Sequence, residues 1–582
     1  MVIQIPFGFV SLLLVAEAAK VHQTLIIDTI YPYPTSVKPI ISANYSFPGP
    51  LIEAYENDTL IIRVINRLLV PSIIHWHGMH QIGTPGMDGA VGITQCAIPP
   101  QSKMIYKFKA EPAGTTWYHG HVLEQYTDGL YGPLIIRRRN ELNGRHYDSE
   151  RILMVSDWYN NCAHTHLLRW YLSPHNSNGY EPSPDAIVVN GKFTQSLFIP
   201  LSGSSRVRFR IINTAAFSMY TVSIDGLPLH VIELDQTDTL SYTVSSFNIS
   251  VAQRVSFYIS LNEIDLHYTA SGGSATSSLF IRFQAVLSMY PVDIVNYIPP
   301  YELPRYPYPT FFNPLYLAIL SLDSTNAPPT YRASQPTPTL QNTVTPLDTN
   351  LLAARPLHHN DDGIPTATHY LSVVIALASD KDGIKRSYLN NVTYSSDANY
   401  MHVRPDPTQG ITSDEYAPLL HQMAIKPDSL GISPPRIEAG SPLPTIQSDG
   451  QGHYLVPYQA VVDLYLSNTD VDSHPFHLHG FNFWIIATSD YPEAEYLYYD
   501  NYVQRDVVSV PGSGWAKVRF VANNPGAWLF HCHIEWHMSG GMALAFIVSP
   551  QQLLTQGYTI PKNQKNLCQA LREFNAENET NN

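Results

Sequence analysis

Four pairs of the form His-x-His stand out along the chain: His75/His77, His119/His121, His477/His479 and His531/His533. On a β-strand, residues i and i+2 point to the same face, so each pair presents two imidazoles side by side. One such pair is common on a solvated strand, and a fifth, His164/His166, reads as surface because no second pair lies near it. Four pairs, two towards each end of the chain, point instead to a shared metal cluster. Eight imidazoles can hold about three copper ions with positions left open for dioxygen. A second constellation surrounds the last pair. His474, Cys532, His537 and Met542 offer two imidazoles, one thiolate and one thioether, the ligand set of a blue-copper electron-transfer site with Met542 as weak axial ligand. Cys532 lies between His531 and His533, so its side chain points away from theirs. The thiolate can hold one copper while its neighbours hold the cluster behind it.

Such ligands need rigid strands, and the rest of the sequence supplies them. At 582 residues, three or four domains of roughly 150 residues are expected. Hydrophobic residues at 44% are ample for packed cores, while 46 Pro, 37 Tyr and only 14% charged residues favour short strands and turns over long helices. Arg206 to Arg210 and Lys517 to Phe520 alternate polar with apolar, the pattern of half-buried strands. The run Leu60 to Val64 is more continuous and suits a strand buried on both faces. The reading is all-β: domains over 20–147, 150–320 and 366–550, a Pro- and Thr-rich connection over 325–362, and a tail over 551–582 with a short helical pattern around Cys568 to Phe574. Residues 1–18 read as a signal peptide, apolar over Ile3 to Ala16 with a small-x-small cleavage pattern near Ala18. Sequons at Asn44, Asn57, Asn248, Asn391 and Asn578 agree with a secretory route. No later run is long enough to span a bilayer, so the expected location is extracellular, in a wall or in a vesicle lumen. The net charge of -14 argues against a nucleic-acid partner.

The segments His75-Trp76-His77-Gly78, Trp117-Tyr118-His119-Gly120-His121, His474-Pro475-Phe476-His477-Leu478-His479-Gly480 and His531-Cys532-His533-Ile534-Glu535-Trp536-His537 resemble the four copper signatures of the multicopper oxidases, the family of laccases, ascorbate oxidases and fungal ferroxidases. The resemblance runs from about residue 24 to about 550. It implies three cupredoxin-like Greek-key β-sandwich domains, four copper ions, and reduction of O2 to water by electrons from a small donor, in a chain expected to be a monomer. Type 1 copper would take His474, Cys532 and His537 with Met542 axial, and type 2 copper His75 and His477. One type 3 copper would take His77, His119 and His533, the other His121, His479 and His531. Asp88 and Glu535 resemble carboxylates that feed protons to the cluster, a structural hydrogen bond to a ligand imidazole being the alternative. Cys96 lies in a segment like that which laccases bond to their tail, implying a Cys96–Cys568 disulfide and a free Cys162.

The donor is less sharply written. Glu181 and Asp470 resemble carboxylates that bind Fe(II) in fungal ferroxidases, but a third acid is not clearly matched, Asp293 being nearest, and Gly480-Phe481 departs from the Gly-His usual there. Asp225, in Ser223-Ile224-Asp225-Gly226, resembles the acid that meets the phenol in fungal laccases. The expectation is therefore a laccase-type oxidase of phenolic or aromatic donors, of the kind used in pigment or secondary-metabolite formation, with a ferroxidase as the alternative. Met542, a thioether in the axial position, is expected to hold the potential at a modest value.

Overall fold

The computed structural model describes residues 18–31, 38–139, 147–194, 196–201, 203–264, 278–290, 313–322, 347–348, 363–394, 418–425, 431–438, 441, 443–492 and 503–580. The expected leader (but for its last residue), Asp293, nearly all of 325–362 and the side chain of Asn578 lie outside them.

Among the described residues, six sheets form three sandwiches on one plan. In the first, Ile40–Ala43, Lys20–Ile30, Thr59–Asn66 and Lys103–Lys109 lie side by side, facing a sheet of Ile52–Tyr55, Tyr131–Arg137, Gly114–Gly120 and Ile74–Trp76. The second repeats the first sheet with Ala186–Val189, Ser149–Trp158, Arg206–Asn213 and Arg254–Ser260, and the third with Lys385–Leu389, His369–Ser379, Val461–Asn468 and Trp515–Val521. In every copy the second and third of these strands are parallel and the outer pairings antiparallel. Parallel neighbours need a crossover, so each sandwich is a Greek-key arrangement, not a meander of hairpins.

The repetition extends to single hydrogen bonds. Asn44, Asn190 and Asn390 all adopt left-handed backbone, at φ 54°, 48° and 51°, a conformation asparagine tolerates better than most residues. Each amide clamps the strand opposite. Its Oδ1 accepts from the N–H of Ile26, Met154 or Val374, and its Nδ2 donates to the carbonyl of Thr24, Ile152 or Ser372. A second trio, Asn66, Asn213 and Asn468, is buried at the loop that follows the third strand of each sheet and bonds across that loop.

Two strands differ from expectation. Leu60, Ile62 and Val64 are buried, but Arg63 between them is exposed and Ile61 only half-buried, so the run is covered on one face. Arg206–Asn213 shows the opposite. Arg208 and Arg210 are buried together with Val207 and Phe209, because their guanidiniums meet Glu233 at 2.5 and 3.5 Å. Arg210 also donates to Thr115 Oγ1 of the first sandwich. A polar strand face that covers a neighbouring domain has the same alternation as one that faces water. Lys517 to Phe520 follows the half-buried pattern expected.

The tail forms the helix Lys562–Thr580, longer than the pattern over 568–574 suggested. Its buried face, Gln564, Leu567, Cys568 and Leu571, lies on the first domain, and Cys96 is disulfide-bonded to Cys568. Cys162 is free and half-buried. Among the described residues no helix is long and apolar enough to cross a membrane.

Candidate metal centre

Register sets the histidine pairs face to face. Strand Ile74–Trp76 pairs antiparallel with Gly114–Gly120, placing His75 opposite His119. Strand His474–Leu478 pairs with Gly526–Cys532, placing His477 opposite His531. These four strands come from the first and third sandwiches, and the eight imidazoles meet between them. His75 stacks on His479 with ring centroids 3.9 Å apart, and His77 on His477 at 3.8 Å. All eight are at most 5% exposed.

The surrounding protein selects one nitrogen of most rings for a metal. The Nδ1–H of His75 donates to the Asp88 carbonyl at 2.8 Å, that of His477 to the Asp506 carbonyl at 2.8 Å, and those of His119 and His531 to the carbonyls of Gly120 and Cys532 at 2.9 Å. His479 Nδ1–H donates to Asp88 Oδ2 at 2.8 Å. His77 uses its other nitrogen, Nε2, against Asp506 Oδ1 at 3.3 Å. Left over and buried without a partner are Nε2 of His75, His119 and His477, Nδ1 of His77, and both nitrogens of His121 and His533. A native interior rarely leaves so many polar atoms unpaired, and lone pairs of neutral imidazoles aimed at one point are what a metal requires. Burial, followed by the neighbouring imidazoles, drives His77, His119, His121, His477, His479 and His533 well below the usual histidine range, and takes His531 down to about 4. They are thus neutral imidazoles at physiological pH, the form in which a histidine can bind a metal. The donor atoms of His121, His479 and His531 lie within 4.8 Å of one another, as do those of His75, His477 and His479. His77, His119 and His533 are grouped more loosely, with ring centroids 5.2 to 5.9 Å apart.

Cys532 faces the other way, into the core of the third sandwich. Its Sγ is 3.7 Å from Nδ1 of His474 and 3.7 Å from Nδ1 of His537, and those two nitrogens are 3.0 Å apart. Burial raises the Cys532 thiol, but the two imidazoles outweigh it and bring it down to about 7. Met542 is fully buried; its N–H donates to the His537 carbonyl and its own carbonyl accepts from the Cys532 N–H. The backbone His531-Cys532-His533 joins this site to the imidazole cluster directly.

The acids of interest divide three ways. Glu181 Oε1 accepts from His537 Nε2 at 2.6 Å, and Asp470 Oδ2 from His474 Nε2 at 3.1 Å, so the outward nitrogen of each histidine carries a carboxylate. Asp88 is buried between His75 and His479, and the sharp turn after it depends on Gly89, at φ +88°, where any side chain would strike the Ile74 carbonyl. Glu535 is buried beside the Tyr126 hydroxyl. Asp225 departs from expectation. It is fully buried and held bidentate by Arg282 at 2.6 and 2.8 Å, so its carboxylate is committed to an internal ion pair and does not offer itself to a phenol.

Two acids escaped the sequence reading. Asp472 sits between Asp470 and His474 in the bend that precedes the strand His474–Leu478, where no strand period marks it. Burial and then the charges of Glu181 and Asp470 push it up to about 6. Asp506 touches both His77 and His477, yet nothing in its local sequence marks it. His166 is exposed, as its surface reading requires, whereas His164 lies half-buried against Glu124 at 2.6 Å on a helical turn. Among the sequons, Asn44, Asn57 and Asn391 are exposed and Asn248 is half-buried.

Family models described as multicopper oxidase match residues 27–141, 149–285 and 428–552. The chain is 28% identical over 570 residues to an iron transport multicopper oxidase, fetC, of Epichloe festucae, covering 95% of this chain and 80% of that one. It is 29% identical over 560 residues to Laccase-1 of Cryptococcus neoformans, covering 90% and 79%. Among solved structures it resembles Fet3p, a multicopper oxidase that functions in iron import, with a TM-score of 0.74 at 24% identity over 95% of both chains. It also resembles the laccase of Botrytis aclada, with a TM-score of 0.72 at 23% identity over 97% of this chain and 92% of that one.

Proposed function

The chain belongs to the multicopper oxidases, copper-dependent oxidoreductases with O2 as acceptor, and from that premise we propose that it carries four coppers and oxidises Fe(II) at an acid-lined electron port. In this reading His474, Cys532, His537 and Met542 would hold type 1 copper, and His75 and His477 would hold type 2. His77, His119 and His533 hold one type 3 ion, and His121, His479 and His531 the other. When bound, copper supplies one-electron transfer at the cysteine site and four-electron reduction of O2 to two waters at the histidine cluster.

The residues do the rest. Glu181 and Asp470 attract a cationic donor and hold it against the outward edges of His537 and His474, so that one imidazole would separate it from the metal held at Cys532. Hard carboxylate oxygens also favour Fe(III) over Fe(II), which assists electron release. The thioether of Met542, if it ligates the type 1 ion, would keep the potential modest. Four protons are consumed per O2, and Glu535 and Asp88 are the buried carboxylates assigned to deliver them. Asp88 has a second duty, since its bond to His479 orients that ring.

The carrying observation is the pair of carboxylate–histidine contacts at 2.6 and 3.1 Å, made by acids far apart in the chain, with Asp472 adding a third acid to the same face. The laccase-type expectation rests on the unmatched third acid of the iron set and on Asp225, and Asp225 is buried against Arg282. A phenolic donor remains the second reading, because Glu181 beside His537 can accept a phenolic proton as the electron leaves. Exposed sequons and a disulfide support export from the cytoplasm. The test is steady-state O2 uptake with Fe(II) and with a panel of phenols, in wild type, Glu181→Ala and Asp470→Ala. Loss of a charge-assisted contact is worth about 10- to 100-fold, expected in KM for Fe(II) and not for phenols. Efficient phenol turnover with no enzymatic Fe(II) oxidation would replace the ferroxidase reading with the laccase one.

A further inference from the structure

The second sandwich supplies none of the histidines, yet it reaches the cluster through one fully buried arginine. Arg254 opens the strand Arg254–Ser260, and its guanidinium grips both oxygens of Asp506, Nη1 to Oδ1 at 2.6 Å and Nη2 to Oδ2 at 2.5 Å. Its remaining donors are also spent: Nε–H on the Thr115 carbonyl of the first sandwich at 3.1 Å, Nη1 on the Ala252 carbonyl at 3.2 Å, and Nη2 on Gln236 Oε1 at 3.3 Å. Asp506 in turn faces His77 Nε2 with Oδ1 and accepts from His477 Nδ1 with its main-chain carbonyl. One residue along, Arg505 is held bidentate by Asp235 at 2.8 and 3.0 Å, and Asp235 lies 3.5 Å from Arg254. Two arginines and two aspartates thus form a charge-balanced ladder from the second sandwich to the two histidines. Space is reserved for it: a side chain at Gly78, next to His77, would press on Asp506 at 2.8 Å and on Arg254 at 3.0 Å.

We propose that Arg254 is a positioning residue for the type 2 end of the cluster: by fixing the Asp506 carboxylate and backbone, it holds the rings of His77 and His477 with Nδ1 and Nε2, respectively, turned inward. The planar fork is essential, because a lysine can supply the charge but cannot hold both oxygens of Asp506 and the Thr115 carbonyl together. The inference rests on the assignment of His477 to type 2 copper given above.

Copper content and electron paramagnetic resonance of the purified, copper-loaded protein test it in wild type, Arg254→Lys, Arg254→Met and Asp506→Asn. Groups that orient a metal-bound histidine are worth about 10- to 100-fold in metal retention. The expected result is selective loss of the type 2 signal in all three variants, with the type 1 signal and its absorption band kept. Adding Arg254→Lys to Asp506→Asn should produce no further loss, since both act through one carboxylate. Should Arg254→Met fail to accumulate, the lysine variant, which keeps the buried charge, carries the test. A wild-type ratio of type 2 to type 1 signal in Arg254→Lys overturns the proposal, as does equal loss of both signals, which marks a purely structural residue. Failure of the underlying assignment is separable, because it appears as a missing type 2 signal in the wild type itself.

Discussion

Asn468→Ala separates a loop's contribution to stability from its contribution to the electron port. Asn468 is 4% exposed, and its amide makes three bonds across the loop that leads to His474: Nδ2 to the carbonyls of Asp472 at 2.7 Å and Pro511 at 3.0 Å, and Oδ1 from the Asp470 N–H at 2.9 Å. Each neutral bond contributes about 1 kcal/mol, and stranding buried partners raises the cost, so removal of the amide should destabilise the third sandwich by about 3–5 kcal/mol. For a domain of this size, that lowers its unfolding temperature by roughly 6–20 °C. Two internal controls exist. Asn66 bonds the carbonyls of Val70 and Ile98 and the N–H of Leu68, and Asn213 those of Ser218 and Ile249 and the N–H of Ala215, with the same geometry. All three alanine variants should therefore lose similar stability by scanning calorimetry. Only the loop after Asn468 carries Asp470, Asp472 and His474, so only Asn468→Ala should weaken the type 1 absorption band and raise KM for Fe(II). The reasoning fails if Asn468→Ala keeps the wild-type band and KM. It fails equally if Asn66→Ala and Asn213→Ala disturb that band as much.

The tail offers two further tests. Cys568→Ser removes a cross-link between residues 472 apart in sequence and should cost about 2–4 kcal/mol; limited proteolysis should then cut ahead of the helix Lys562–Thr580, and an unchanged digestion pattern would count against tail docking through this bond. That helix also packs on His421, whose Nε2 lies 3.3 Å from Gln564 Oε1 and which burial brings down from 6.5 to about 4, with Lys565 and Arg572 adding to the effect. Because the folded form resists protonation, its stability is whole above pH 6.5 and is lost as pH falls towards 4, by up to about 3 kcal/mol. Hydrogen exchange of 562–580 should quicken over that window in wild type and not in His421→Gln.

The candidate metal ligands are legible in the sequence because they form local patterns. Two residues apart on a strand means one face, so each His-x-His pair declares itself without knowledge of the fold, and a cysteine between two histidines must face the other way. Charge partners have no such period. Arg208 and Arg210 alternate with apolar residues just as solvent-facing arginines do, yet they are buried against Glu233. Asp225 sits in a turn that resembles a substrate contact, and only the fold sets Arg282 against it. Asp506 gains its meaning from Arg254, 252 positions earlier, and Glu181 from His537, 356 positions later. The pairing of the candidate ligands is legible in the chain because spacing over a few residues is a matter of local backbone geometry, even though His77, His121, His479 and His533 each fall one residue beyond the strand that carries their partner. Which carboxylates meet His537 and His474, which arginine grips Asp506 and which acid is paired internally is decided by tertiary structure, since burial and ion pairing depend on neighbours brought from elsewhere in the chain.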